Sequence, residues 1–188
     1  MPNHSENAAL LVMDYQNGIV SRFAENEQAL IPVQKAVASA RENNISVIFV
    51  RVGFSEGYPE VSPQNKSFSR IAEMGGMTVN DDATQIHESV KPQASEPVVT
   101  KYRVSAFAGS TLEVILRSKQ IDTLIMTGIA TSGVILSTLR EAADKDFSIK
   151  VLSDACLDAD PEVHRVLTEK VFPRQADVMT VEDWIGTL

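Results

Sequence analysis

The stretch Ala8–Met13 (AALLVM) is a short, continuous apolar run, and the acidic residue Asp14 follows it directly. Such a run is typical of a strand that is buried on both faces. Further strand-like runs occur at Ile45–Val52, Glu96–Thr100, Thr123–Thr127, Ile149–Leu152 and Val178–Thr180. Segments with helical spacing of apolar residues alternate with them, at Asn26–Asn43, Ser110–Lys119, Thr131–Asp144 and Pro161–Val171, with a shorter candidate at Ser67–Met74. This alternation predicts an α/β fold: a three-layer, Rossmann-like α-β-α arrangement around a mainly parallel six-stranded sheet.

The composition is that of an ordinary globular protein. The 188 residues are 44% apolar and 22% charged, which suits one domain with a core of normal size, so we expect residues 1–188 to form a single domain. The formal net charge is -8, and no cluster of Lys and Arg is present. Because binding to phosphates needs concentrated positive charge, nucleic acid is not an expected partner.

The sequence also bears on the compartment of the protein. The first residues, Met-Pro-Asn-His-Ser-Glu-Asn, show no basic region followed by a long apolar stretch, and no apolar run reaches the ~18 residues of a spanning helix. Cys156 is the single cysteine, so an intrachain disulfide is impossible. We therefore expect a cytoplasmic protein with no membrane partner.

Several polar residues follow the predicted strands. In parallel sheets of this kind, ligands bind outside the carboxyl ends of the strands. The rule selects five places, which should lie along one edge of the sheet: Asp14, Lys101, the stretch 128–134, Asp154 and Cys156.

Asp14 and Lys101 each have two interpretations. Asp14 is either a strand-end residue that caps a nearby backbone N–H, or a partly desolvated carboxyl that serves as general acid or base. Lys101 is either a surface lysine or the cation that holds Asp14 ionised and stabilises negative charge on a substrate. If the second interpretation is right for both, they should meet within ion-pair distance, about 4 Å or less.

The stretch 127–134 (TGIATSGV) turns a strand into a helix. Its small residues allow a substrate to approach the backbone, and the free N–H groups at the helix start favour an anion or a developing oxyanion. The alternative interpretation is an ordinary strand–helix turn without a binding role, since such turns have the same composition. No histidine lies near Thr131 or Ser132 in the sequence to activate either hydroxyl.

Taken in order, these stretches resemble the motifs of the isochorismatase-like cysteine hydrolases. The resemblance is carried by Leu10–Asn17 (LLVMDYQN), Val99–Phe107 (VTKYRVSAF), Leu124–Ser132 (LIMTGIATS) and Val151–Ala155 (VLSDA), and it covers roughly residues 8–182. It implies a catalytic triad of Asp, Lys and Cys, with the first two at Asp14 and Lys101.

The position that the resemblance assigns to the nucleophile is Val134. Valine has no nucleophilic atom, so covalent thioester chemistry is excluded at this position. The resemblance also implies a cis peptide bond between Ile129 and Ala130. The aspartate–histidine metal motif of nicotinamidases is absent from residues 51–65, so we expect no metal and no other cofactor.

Some members of the family work without the cysteine, and true isochorismatases can carry glycine there. The resemblance implies a route in which the aspartate protonates a vinyl ether, water adds to the cation, and the hemiketal collapses. Valine is bulkier than glycine, so isochorismate is one candidate substrate among others. The sequence thus leaves three readings of the function: a small-molecule hydrolase that uses Asp14 and Lys101, a small-molecule-binding pseudoenzyme, and a cysteine hydrolase that uses Cys156.

Further residues complete the predicted site. The candidate substrate-binding residues are Gln16, Phe107, Ile129, Ala130 and Gly133, although a solvated amide fits Gln16 and a core position fits Phe107 equally well. The apolar tail from Val178 to Leu188, with Trp184 and Ile185, and the family resemblance together predict a homodimer or higher homo-oligomer.

Overall fold

The computed structural model describes residues 7–24 and 26–188. All six strands form one sheet in the order β3-β2-β1-β4-β5-β6, and every neighbouring pair is parallel. The strands are β1 (Ala8–Met13), β2 (Ser46–Val52), β3 (Val98–Lys101), β4 (Thr123–Ile129), β5 (Ser148–Leu157) and β6 (Asp177–Met179). The predicted α/β class with a parallel six-stranded sheet is confirmed.

Helices cover both faces of this sheet. They are α1 (Asn17–Phe23), α2 (Ile31–Glu42), α3 (Ile71–Met74), α4 (Leu112–Ser118), α5 (Leu136–Asp144), α6 (Pro161–Val166) and α7 (Val181–Ile185). Turns of 3-10 helix lie at Glu27–Leu30, Asp82–Thr84, Glu88–Val90 and Phe172–Arg174, and π-helical turns lie at Thr131–Ile135 and Leu167–Val171. None of the helices in the described ranges is long and apolar enough to span a membrane.

The alternation of side chains along β1 divides the core into two parts. Leu11 and Met13 face the side covered by α4 and α5, whereas Leu10 and Val12 face the side covered by α2 and α7. All six residues of β1 are buried. A strand at the centre of a sheet with helices on both faces needs apolar residues at every position, which explains the unbroken run AALLVM.

The sequence pattern misses two helices, and two strands are longer than predicted, since β4 extends to Ile129 and β5 to Leu157. The missed helices, α1 and α7, have seven and five residues, too few to establish a periodicity. β5 extends to Leu157 because the polar residues Ser153 and Asp154 find partners next to the strand: Ser153 Oγ donates to the Met179 carbonyl, and Asp154 accepts from the Val181 N–H.

Trp184 is buried in the core of its own chain, with 1% of its surface exposed. It packs on the α2 side of the sheet together with Val181 and Val37. The tail therefore gives less support to oligomer formation than the sequence suggests, since its largest apolar side chain is already covered.

The segment between β2 and β3 is irregular, as expected. Within the predicted helix Ser67–Met74, only α3 forms. Phe54, just after β2, packs against the rings of Tyr58, Phe68 and Tyr102 at centroid distances of 6.0, 5.9 and 6.3 Å. These contacts fix the segment over the carboxyl ends of β2 and β3.

Candidate active site

Asp14 and Lys101 meet at the carboxyl edge of the sheet. Lys101 Nζ lies 2.9 Å from Asp14 Oδ2, and the two side chains are only 2% and 7% exposed. The sheet order puts β2 between them, so the pair spans the end of β2, where Lys101 is in register with Val52 and the Asp14 N–H donates to the Val50 carbonyl. The prediction that they meet within ion-pair distance is confirmed.

The backbone at Asp14 leaves the direction of the strand. Its φ of 60° lies in the left-handed region, which Asp tolerates better than most side chains. Since Val99 faces the α4 and α5 side of the sheet, Lys101, two residues later on β3, is directed to the same side. The ion pair therefore belongs to that side of the carboxyl edge.

The two oxygens of the Asp14 carboxyl group differ in their hydrogen bonding. Oδ2 contacts Lys101, but Oδ1 is buried and has no hydrogen-bond partner among the residues that the structure describes. Burial raises the pKa of Asp14 above its ordinary value of 3.8, and the charge and hydrogen bond of Lys101 oppose that rise only in part. The Asp14 carboxyl group therefore holds its proton to a higher pH than a solvated aspartate does.

Lys101 uses its three N–H donors inside the protein. Besides Asp14 Oδ2, its Nζ donates to the carbonyls of Arg103 at 3.1 Å and Val104 at 2.7 Å. An ammonium group has three donors, so none is left for a bound molecule in this arrangement. The bonds to Arg103 and Val104 also hold the turn after β3.

The turn after β4 lies next to Asp14, because β4 is the other neighbour of β1. Gly128 pairs with Met13, and a Cβ at this glycine would lie 2.9 Å from the Met13 carbonyl oxygen. Only glycine allows this close approach. The Ile129–Ala130 peptide bond, for which the resemblance predicts the cis form, is cis. The Ala130 carbonyl then accepts hydrogen bonds from the N–H groups of Gly133 and Ile135.

Val134 lies in this turn with 2% of its surface exposed. It packs in the same part of the core as Met13 and Val50, on the side of the sheet where the ion pair lies. Ile129 instead packs on the α2 side, so its side chain faces away from the pair. Ala130 and Gly133 are only partly buried, and their role in substrate binding stays a prediction.

Cys156 lies on β5 opposite Gly128 and is buried. Desolvation raises the pKa of its thiol to about 12, although a backbone hydrogen bond from Gly128 acts in the other direction. The thiolate is the nucleophilic form, so a thiol that stays protonated at neutral pH is inert.

Two of the predicted substrate-binding side chains have other partners. Gln16 is completely buried: its amide donates to the carbonyls of Val52 and Thr84 and accepts from the Val52 N–H. Gln16 thus joins β2 to the segment before β3, and its polar atoms are not directed to a ligand.

Phe107 lies in the core, which was the other interpretation of this residue. Its ring packs 6.0 Å from that of Phe147, which precedes β5 at the amino edge of the sheet. The ring therefore extends away from the edge that holds Asp14, which favours the core interpretation of Phe107 over a position in a pocket wall.

The structure adds two residues to the site that the sequence did not indicate. His164 Nδ1 lies 2.8 Å from Thr131 Oγ1, and Asp158 Oδ2 accepts the Ser132 N–H at 2.7 Å. Burial disfavours the charged form of Asp158, but hydrogen bonds from Ser132 and from nearby backbone N–H groups outweigh it and lower the pKa of this carboxyl. Both residues lie more than 20 positions after the turn in the chain, so only the packing of β5 and α6 brings them there.

The described residues contain no group of three or more His, Cys, Asp or Glu side chains arranged to hold a metal ion.

Known proteins resemble this chain along nearly its whole length. The sequence model of the isochorismatase domain matches residues 8–183. YecD of Escherichia coli O157:H7, an isochorismatase family protein, is 30% identical over 98% of both chains. The ureidoacrylate amidohydrolase RutB of Pseudomonas savastanoi pv. phaseolicola is 30% identical over 95% of this chain and 78% of its own. A cysteine hydrolase from Pseudomonas syringae pv. phaseolicola shares the fold, with a TM-score of 0.89 at 20% identity over 99% of this chain and 94% of its own.

Proposed function

This chain belongs to the isochorismatase family, and on that premise we propose that it is a hydrolase of a small molecule that works without a covalent cysteine nucleophile. In this proposal Asp14 is the general acid and base, and Lys101 is its electrostatic partner. Val134 occupies the position of the family's nucleophile, and the backbone of Ala130 and Gly133 contributes to the binding of the substrate.

One observation carries the proposal: within residues 7–24 and 26–188, the buried Asp14 oxygen Oδ1 has no hydrogen-bond partner. Buried polar atoms in proteins are almost always hydrogen-bonded, because an unsatisfied one costs about 1–3 kcal/mol. A ligand atom that shares a proton with Oδ1 would remove this cost. The free oxygen thus marks the point at which a substrate meets the carboxyl group.

The ion pair suits a reaction in which Asp14 donates a proton to the substrate and later regains one. When Asp14 is protonated it can transfer its proton to the methylene carbon of a vinyl ether, which leaves a carboxylate and an oxygen-stabilised cation. The positive charge of Lys101, 2.9 Å away, stabilises that carboxylate. Water then adds to the cation and returns a proton to Asp14, and the resulting hemiketal separates into a carbonyl compound and an alcohol. No bond to the protein forms at any step.

A second candidate function is binding without turnover. The observation that favours it is the burial of Val134, at the position that the sequence resemblance assigns to the nucleophile. A carboxyl group with one free oxygen can also anchor a ligand that carries a hydrogen-bond donor. Under this alternative the protein is a small-molecule-binding pseudoenzyme.

A single screen separates the two functions. The protein is incubated with panels of vinyl ethers, amides and esters, and turnover and binding are both recorded. The proposal expects turnover of at least one panel, lost in Asp14→Asn because an amide cannot deliver the proton, and kept in Cys156→Ala as the matched control. Binding without turnover supports the alternative, and turnover that persists in Asp14→Asn would refute the proposed role of Asp14.

A further inference from the structure

The Thr131 hydroxyl is held between two parts of the chain that lie far from it in sequence. Thr131 Oγ1 donates to the Leu157 carbonyl at 3.3 Å, and His164 Nδ1 lies 2.8 Å away on its other side. A hydroxyl has a single proton; when that proton goes to Leu157, the imidazole Nδ1–H is the donor to Thr131. The histidine thus completes the hydrogen bonding of a buried polar group.

A hydroxyl next to a histidine is also the arrangement of an activated nucleophile. Burial decides against that role here, because Thr131 has 0% of its surface exposed and its hydroxyl is occupied on both sides. A group that no substrate can reach does not attack one. The contact between His164 and Thr131 acts on the shape of the turn.

A second contact supports the same segment. The Ser132 N–H donates to Asp158 Oδ2, so adjacent residues of the turn are both attached to the chain that follows β5. His164 is itself fixed on α6, whose first turn is capped by Asp160 and whose His164 carbonyl accepts from Thr168 Oγ1. The turn 130–134 is therefore attached through two adjacent residues to the chain after β5 and to α6.

We propose that His164 is a positioning residue that holds the turn 130–134, through the Thr131 hydroxyl, in the geometry the site needs beside Asp14. The assignment rests on the proposed function in one respect, namely that this turn binds the ligand. The hydrogen bond itself and its effect on the turn are measurable without any turnover.

The test introduces a thiol into the turn as a probe. In the Val134→Cys/Cys156→Ala background, the rate of alkylation by iodoacetamide reports how often the turn opens, because position 134 is buried. His164→Leu removes the hydrogen bond and should raise the rate about fivefold to tenfold, the effect on an opening equilibrium of losing one such bond. Thr131→Val removes both hydrogen bonds of the hydroxyl and should raise the rate at least as much, and the double variant should be no faster than Thr131→Val alone.

Two controls separate positioning from loss of packing. His164→Asn keeps a side-chain N–H close to the place of Nδ1 and should stay within about twofold of the parent rate. His87→Leu removes a matching contact elsewhere, since the half-buried His87 lies 2.8 Å from the Ser89 hydroxyl, and it should not change the rate.

The proposal is wrong if His164→Leu alkylates at the parent rate, or if His164→Asn or His87→Leu is as fast as His164→Leu. If the thiol variant does not fold, amide hydrogen exchange of peptides spanning residues 129–136 in the natural background gives the same comparison. Exchange that is equal in His164→Leu and His164→Asn would then overturn the assignment. A protein that shows no turnover but passes this test would contradict the proposed function alone.

Discussion

Replacing Lys101 by methionine should destabilise the protein strongly, because it leaves a buried carboxylate without its partner. Methionine has a similar length, so the main losses are the charge and the three hydrogen bonds of Nζ. Removing one partner of a buried ion pair costs about 3–5 kcal/mol. We expect a loss of this size in the free energy of unfolding, measured by urea denaturation at neutral pH.

The loss should depend on pH with a definite sign. The pKa of Asp14 is already raised by burial, and without the opposing charge of Lys101 it rises further. Above the ordinary value of 3.8 the unfolded chain releases this proton while the folded variant keeps it. The variant should therefore lose stability as the pH rises from that value to the raised pKa, and be least affected at the acidic end.

Two matched variants make the reasoning refutable. Asp14→Asn/Lys101→Met has no buried charge and should recover part of the stability that Lys101→Met loses. Lys91→Met breaks the exposed pair with Glu88, whose side chains are 71% and 82% exposed, and should cost less than about 1 kcal/mol. If Lys101→Met costs no more than Lys91→Met, or if the double variant is no more stable than Lys101→Met, the charge in the core is not what stabilises this edge.

Three further predictions concern other parts of the molecule. Cys156→Ala should leave any activity largely intact, and the native thiol should resist alkylation at neutral pH, because its pKa is about 12; loss of an established activity in a folded Cys156→Ala protein would contradict this. Gly128→Ala should cost about 1–3 kcal/mol in thermal or urea unfolding, since the new Cβ would press on the Met13 carbonyl at 2.9 Å, and an unchanged midpoint would show that the strand can shift. Light scattering at micromolar concentration should show a homodimer or larger homo-oligomer; a monomer would overturn that expectation.

The sequence alone was sufficient to predict the sheet and the edge at which the site lies. The run Ala8–Met13 is apolar at every position because both faces of the parallel sheet are covered by helices. That requirement can be recognised in the sequence without knowledge of the fold. Asp14 and Lys101 could be selected because the ends of parallel strands meet at one edge. The absence of a thiol at position 134 is likewise a fact of the sequence.

Side-chain partners that come from distant parts of the chain could not be predicted in this way. Gln16 and Phe107 follow the expected strands, but their contacts with the segment before β3 and with Phe147 exist only after the layers pack. His164 is 33 residues from Thr131 in the chain and 2.8 Å from it in the fold. Local patterns determined the strands and the order of the motifs, whereas the tertiary structure decided which polar atoms are already satisfied and left Asp14 Oδ1 as the buried oxygen without a partner among the described residues. The physical reason is that hydrophobic periodicity is a property of neighbours in the chain, while hydrogen-bond satisfaction depends on every group that packing brings within reach.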